Sequence, residues 1–367
     1  MRVSSQAKCR TLVLVRGQAI AAFFVLTTLN IQAEQPRYRL IGTVPKPAYD
    51  LETQGGVRNG TAGYIGTPGG RLPGILSTPT GWTNLDETYG VQSARVNGVG
   101  DRVIGVSWRS SDGTDGYLYN GKLTKFKRSP NFLGKSVSLS GGGGDWVGGQ
   151  IKFNEVDAGA FGNDDEIGSI AIGYNPVTDE RVEFQQFYHN KFIASNPEGT
   201  MLFMSSQRWM SSPFDSGSHA MYTVRNGVTR YIGAGYAHDL NDNGDVLYSL
   251  GSDSMYIQDR FGNNRLVSPE NPLGKGFTDG GQIDNAGRVL SRDSGSLTTY
   301  VSWGNRWYNL ADCIEGGVNI GNPMLDPVTG YLYAGNGEIY APVPEPGTLA
   351  ALGVGLLLAS RRRKRRA

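Results

Sequence analysis

Histidine and cysteine are scarce in this chain, and their scarcity removes several kinds of chemistry. Of 367 residues, three are His and two are Cys. Cys9 lies in the leading segment, so Cys313 stands alone in the remainder and no intramolecular disulfide framework is available. A Cys in that situation reads as a small buried hydrophobe. His189, His219 and His238 fit no metal-ligand spacing such as H-x-x-x-H. There is no G-x-S-x-G nucleophile elbow and no P-loop. Gly141 to Gly144 are not followed by a Lys-Ser or Lys-Thr pair or by a helix pattern, so they read as a turn, not a phosphate cradle. An excess of positive charge is missing too, once the two ends are set aside. Residues 1–33 hold Arg2, Lys8, Arg10 and Arg16 with no acid, and residues 361–366 are all basic. What remains is 25 basic residues against 33 acidic ones, a balance that disfavours a nucleic-acid partner.

The front end has the layout of a secretory signal. The basic region ends near Arg16, and the apolar stretch Ala19 to Leu29 follows. Ile31-Gln32-Ala33 then offers a cleavage site after Ala33. Eleven residues suit a signal core and are too few to span a bilayer. The expected partner at this end is the Sec export machinery.

The back end has three parts in order. Val343-Pro344-Glu345-Pro346 comes first, where two prolines stop preceding structure and hold the chain extended. Gly347 to Ser360 is apolar and uncharged, and reads as a short membrane helix. Arg361, Arg362, Arg363, Lys364, Arg365 and Arg366 then form a basic cluster that should stay on the cytoplasmic side. This order resembles the PEP-CTERM sorting segment of Gram-negative bacteria. The resemblance implies recognition by an exosortase near Pro344-Glu345-Pro346 and a transient stay in the inner membrane. It implies delivery to the cell surface or beyond, in a host that makes extracellular polysaccharide and often grows as biofilm. The expected organisation is therefore a signal peptide over 1–33, a body over 34–342 and a sorting segment over 343–367.

Glycine and aromatic residues are what the body has in plenty. Gly contributes 53 of 367 residues, about twice the usual share of roughly 7%. There are 18 Tyr, and aromatics make up 10%. That mixture suits short strands joined by tight turns. A turn glycine followed by an apolar stretch recurs at Gly56, Gly100, Gly144, Gly199, Gly244, Gly287 and Gly330, with spacings of 44, 44, 55, 45, 43 and 43. The long interval holds an acidic insertion at Asp164-Asp165-Glu166, which reads as a solvated loop; a cation site or a glycosidase-like carboxylate pair is the other reading. After each glycine come two or three short strands, as in Asp245 to Leu250, Met255 to Gln258 and Asn264 to Val267. Asn120-Gly121 and Asn226-Gly227 mark hairpins.

A strand-only period near 44 predicts an all-β, β-propeller-like ring of six or seven blades, with seven favoured. A β-sandwich or two all-β domains is the alternative. The last copy shows two strands, Gly330 to Ala334 and Glu338 to Pro342, and the lone strand Tyr38 to Val44 is expected to complete that blade. The repeat phrase, Asn or Asp before Gly and then an apolar pair, resembles the HAF-type extracellular repeat over most of residues 38–342. That resemblance implies a propeller-like body with no assigned chemistry.

Candidate sites are few. Asp239, Asn241, Asn243 and Asp245 match the opening of a Ca²⁺ loop, but Leu250 stands where the bidentate Glu belongs. Asn and Asp beside Gly also form ordinary turns. Trp108, Trp146, Trp303 and Trp307 suit either sugar stacking or packing between blades. The expectation is an exported, non-catalytic surface or matrix protein without a cofactor, Ca²⁺ aside, and with extracellular polysaccharide as a partner. A polysaccharide-acting enzyme and a Ca²⁺-dependent adhesion module are the alternatives.

Overall fold

The computed structural model describes residues 35–344, apart from 68–71, 110–113, 127–136, 155–166, 188, 207–218, 252–253, 268–276, 294–297 and 305. Ala33, the acidic insertion, Glu345, Pro346, the apolar tail and the basic cluster lie outside the described residues. Residues 37–343 form one compact unit.

After β1 (Tyr38–Thr43), six blades follow as antiparallel meanders. Blade 1 is β2–β5 (Leu51–Arg58, Thr61–Gly66, Gly74–Thr78, Gly81–Asn84). Blade 2 is β6–β9 (Gln92–Val99, Val103–Arg109, Thr114–Tyr119, Lys122–Lys125). Blade 3 is β10–β13 (Val137–Gly143, Trp146–Asn154, Ile167–Asn175, Glu180–Phe184). Blade 4 is β14–β17 (His189–Ser195, Met201–Ser206, His219–Arg225, Val228–Ala234). Blade 5 is β18–β21 (Tyr236–Leu240, Val246–Leu250, Ser254–Gln258, Asn264–Leu266). Blade 6 is β22–β25 (Phe277–Ile283, Val289–Asp293, Thr299–Trp303, Arg306–Asn309). Blade 7 joins β26 (Met324–Leu325), β27 (Leu332–Tyr333) and β28 (Glu338–Pro342) to β1, in the order β1-β28-β27-β26. The first strand of each of blades 1 to 6, and β26 of blade 7, touches its counterpart in the next blade, and β26 touches β2, so the ring is closed.

Two sequence expectations need correction here. Blade 7 draws three strands from the C-terminal side, not two; β26 is only two residues long, too short to show a pattern. The first turn glycine is Gly60, at φ +79° between β2 and β3, whereas Gly56 lies inside β2. More generally, the innermost strand of each blade precedes the turn glycine, ahead of the strands that the repeat pattern marks.

Seven hydrophobic clusters fill the seven seams between blades. Successive side chains of a strand point to opposite faces, and a middle strand here has a blade on each side. In β19, Val246 and Tyr248 join the seam toward blade 4, while Leu247 joins the seam toward blade 6. In β15, Leu202 and Met204 face blade 5, and Met201 and Phe203 face blade 3. That is why these strands read as continuous apolar runs rather than alternating ones. Trp146 is buried in the seam between blades 3 and 4, and Trp307 packs on the seam between blades 5 and 6. Cys313 is buried at the end of α2 (Leu310–Cys313), following α1 (Leu85–Tyr89) in chain order, and its thiol donates to Asn309 O at 3.3 Å.

Candidate functional site

The innermost strands surround an axial cavity of about 500 Å³ lined by residues of all seven blades. Six of these strands carry a register irregularity against their second strand: Thr53/Val57, Val96/Gly98, Leu139/Gly141, Phe192/Ala194, Ala237/Asp239 and Asp279/Gln282. A bulge leaves residues unpaired and sharpens the local twist. It also breaks strict alternation, so the neighbours His238 and Asp239 both line the cavity.

The walls of blades 1 to 3 are rich in glycine: Gly55, Gly56, Gly98, Gly141, Gly142 and Gly143. A side chain at Gly98 would come within 2.5 Å of Gly141 C and Gly142 N, and one at Gly141 within 2.6 Å of Ile193 O. Gly143 sits against Ser195 O in the same manner. Gly141 to Gly143 are therefore strand residues, Gly141 and Gly143 in backbone-to-backbone contact with the next blade, and only Gly144, at φ +57°, turns the chain.

At the end where the innermost strands turn back, the turns of blades 4 to 7 share one device. A buried Asn196, Asn241, Asp284 or Asp326 accepts backbone amides of its own turn, at 2.9 Å from Thr200, Asp245, Arg288 and Val328 respectively. The turns also grip one another. Asp242 N donates to Asn285 Oδ1 at 2.9 Å, Asn285 N to Pro327 O at 2.8 Å, and Gly60 N to Asp326 Oδ2 at 3.2 Å. Arg102 pairs with Asp145 between blades 2 and 3.

Arg58 closes this end of the cavity. It is 5% exposed, at the last position of β2. Its Nε donates to Asp101 Oδ1 of blade 2 at 2.7 Å, and its Nη1 and Nη2 donate to Asp242 of blade 5 at 2.9 and 3.0 Å. Burial opposes the guanidinium charge, but its hydrogen bonds to Asp242 and Asp101 outweigh it and raise the pKa. No sequence motif surrounds Arg58; its role comes from reaching across the axis to a blade three places away.

The residues of the Ca²⁺-loop pattern bond within their own turn and to the next blade. Asp239 accepts from Leu240 N at 2.8 Å and Ile283 N at 2.9 Å. Asn241 Nδ2 donates to Asp245 Oδ2 and to Asp284 O, each at 3.0 Å. Asn243 Nδ2 turns to the next blade and donates to Asn285 O at 2.8 Å. Donated amide N–H groups hold turns and cannot ligate a cation. Among the described residues no group of three or more His, Cys, Asp or Glu comes together. His189 and His219 begin β14 and β16, both opposite Ser206, and are buried. Tyr236 lies between His219 and His238, at ring distances of 5.5 and 5.3 Å.

Burial, and then the charge of Lys191, push the His238 pKa down to about 4; burial pushes Asp239 up to about 6. Between pH 6.5 and 4 the folded state therefore holds His238 neutral while the unfolded chain protonates it, so stability is lost as pH falls through that window. Asp239 works in the opposite sense: its folded form holds the proton that the unfolded form loses above 3.8, so it favours the fold as pH falls from 6. His238→Asn should consequently gain on the wild type as pH drops from 6.5 to 4 and differ by a constant amount above about pH 7. Urea midpoints across that range test this.

Seven four-stranded blades around a cavity sealed at one end by an ion triad define a seven-bladed β-propeller. The chain matches the PEP-CTERM protein-sorting motif over residues 342–366, so it carries the signal of an exported protein sorted by an exosortase. No curated protein matches it in sequence. Its fold is similar to that of YCF48 bound to D1 peptide, at 11% identity and a TM-score of 0.48, over 86% of this chain and 97% of that one. It is also similar to an oligogalacturonate lyase from Vibrio parahaemolyticus, at 9% identity and a TM-score of 0.49, over 85% and 98%. PorZ, a surface component of the type-IX secretion system of Porphyromonas gingivalis, is similar at 14% identity and a TM-score of 0.45, over 82% of this chain and 48% of that one. Such likenesses concern the fold alone. Among the described residues, no helix is long and apolar enough to cross a membrane.

Proposed function

We propose that this is a non-catalytic propeller, exported through its leading signal and displayed at the cell surface or released into the extracellular matrix after exosortase processing. The observation that carries the reading is where the sorting motif begins. The last ladder pair of the closing blade is Tyr38↔Pro342, and Val343 N still donates to Arg37 O at 2.8 Å. Cutting at Pro344-Glu345-Pro346 therefore leaves every blade whole. The non-catalytic part of the reading is supported by how the carboxylates near the axis are spent: Asp101 and Asp242 on Arg58, and Asp239 on two backbone amides. The buried Asn or Asp ahead of the turn glycine supports assigning the body to HAF-type extracellular repeats.

Tagged protein should lose its tail and leave the inner-membrane fraction in cells with the exosortase. It should stay full-length and membrane-bound in cells without it. Equal size and location in the two strains would sink the reading. A second reading, binding of a small polar ligand, is favoured by the axial cavity and by Gln54 on its wall, whose Oε1 is buried without a partner.

A further inference from the structure

We propose that the outer edge of blade 7, formed by Arg37, Arg39, Leu40 and Ile41, rests on an anionic lipid surface while the sorting tail is attached. The inference rests on the sorting reading above and adds an orientation to it. β1 is the outermost strand of its blade, and only Tyr38 of its six residues is buried. Leu40 and Ile41 are 49% and 48% exposed. Among the described residues they are the only two large exposed hydrophobics adjacent in sequence. Side chains of neighbouring strand residues normally face opposite ways. Here the register slips between Leu40 and Gly42, and both apolar side chains stay outside.

The position of this edge supplies the occupant. Val343 is hydrogen-bonded to Arg37, so the segment matching the sorting motif leaves the body beside these four residues. A tether that short keeps the edge at high effective concentration next to whatever the apolar tail enters. The charge agrees. Arg37 and Arg39 are exposed at the end where the tail leaves, where the backbone of Glu315 also lies, its amide donating to Tyr38 O at 2.9 Å. Glu338 pairs at the far end, opposite Thr43, and binds Tyr340. Two arginines and two aliphatic side chains on one edge fit the boundary between headgroups and acyl chains of an anionic bilayer.

The test uses the full chain inserted through its tail into vesicles of phosphatidylethanolamine and phosphatidylglycerol. A fluorophore is placed at Ile41→Cys, or at Thr229→Cys on the outer strand of blade 4, with Cys9→Ser in both. Cys313 is 1% exposed and stays unlabelled. Acyl-brominated lipid should quench the probe at 41 roughly threefold more than the probe at 229, because an interfacial contact reaches only a few ångströms into the acyl boundary. Adding Arg37→Glu and Arg39→Glu should remove the difference. Equal quenching at the two positions, in vesicles that retain the chain, would overturn the proposal and leave the sorting reading standing. Probe-to-probe self-quenching at 41 in place of lipid quenching would overturn it in favour of edge pairing between two copies. A chain that does not float with the vesicles would overturn both.

Discussion

Arg58→Met is expected to destabilise the propeller by ~3 kcal/mol, because it leaves Asp101 and Asp242 without the cation between them. Breaking a buried ion pair by removing one partner costs about 3–5 kcal/mol. The low end applies here, since the Asp101 and Asp242 side chains remain 32% and 21% exposed and water screens part of the repulsion. The sign of the rescue tests the cause. Changing Asp101 and Asp242 to Asn in the Arg58→Met background removes the stranded charges and should recover most of the loss, as replacing a whole buried ion pair often does. Urea unfolding of the wild type, Arg58→Met and the triple variant at neutral pH measures both steps. If the triple variant were no more stable than Arg58→Met, lost packing of the long side chain would be the cause rather than charge. The same substitution also removes the group that closes one end of the cavity, so a small ligand entering from the other end would lose its floor.

Gly143→Ala is expected to cost a similar amount, ~3 kcal/mol, for a reason that involves no charge. The backbone of Gly143 is in an ordinary strand conformation, so conformational freedom is not what selects glycine there. The added methyl would fall on the carbonyl oxygen of Ser195, in the innermost strand of the next blade. A flexible side chain could swing aside; a strand backbone held by its own ladder cannot. Gly121→Ala is the matched control. Gly121 lies at φ +71° with nothing within 4 Å of an added Cβ, so only the left-handed penalty of ~1–2 kcal/mol applies. Thermal melts of the two variants separate the explanations. A smaller loss at Gly143 than at Gly121 would mean that the blades can slide apart at the axis, against the close contact described here.

Much of the architecture was legible because the repeat obeys local rules. Asn241-Asp242-Asn243-Gly244 and Asp284-Asn285-Ala286-Gly287 are turns that their own residues enforce, through a buried Asx oxygen and a glycine at positive φ. The closing role of Tyr38 to Val44 was visible as a strand left over at the front and a blade incomplete at the back. What local rules miss is the axis. Six of the seven innermost strands are bulged, and those of blades 1, 2, 3 and 6 carry glycine, so their pattern resembles a loop. Gly141 to Gly144 read as a turn for that reason, and Gly56, inside β2, resembles the turn position that Gly60 occupies. The Ca²⁺-like spacing of Asp239, Asn241, Asn243 and Asp245 describes residues that serve two blades, which no linear pattern records.

By itself the sequence determined the sorting motif and the repeat: a proline-fenced apolar tail with arginines behind it, and a period near 44 of turn glycines followed by short strand patterns. These are properties of contiguous segments, written by charge, hydropathy and turn chemistry over short distances. Tertiary structure alone decided the number of blades, the sealing of the axial cavity by Arg58, and the meeting of Arg37 with Val343 at one edge. Each of those depends on residues far apart in the chain being brought together when the ring closes, and ring closure is a geometric condition on all seven blades at once.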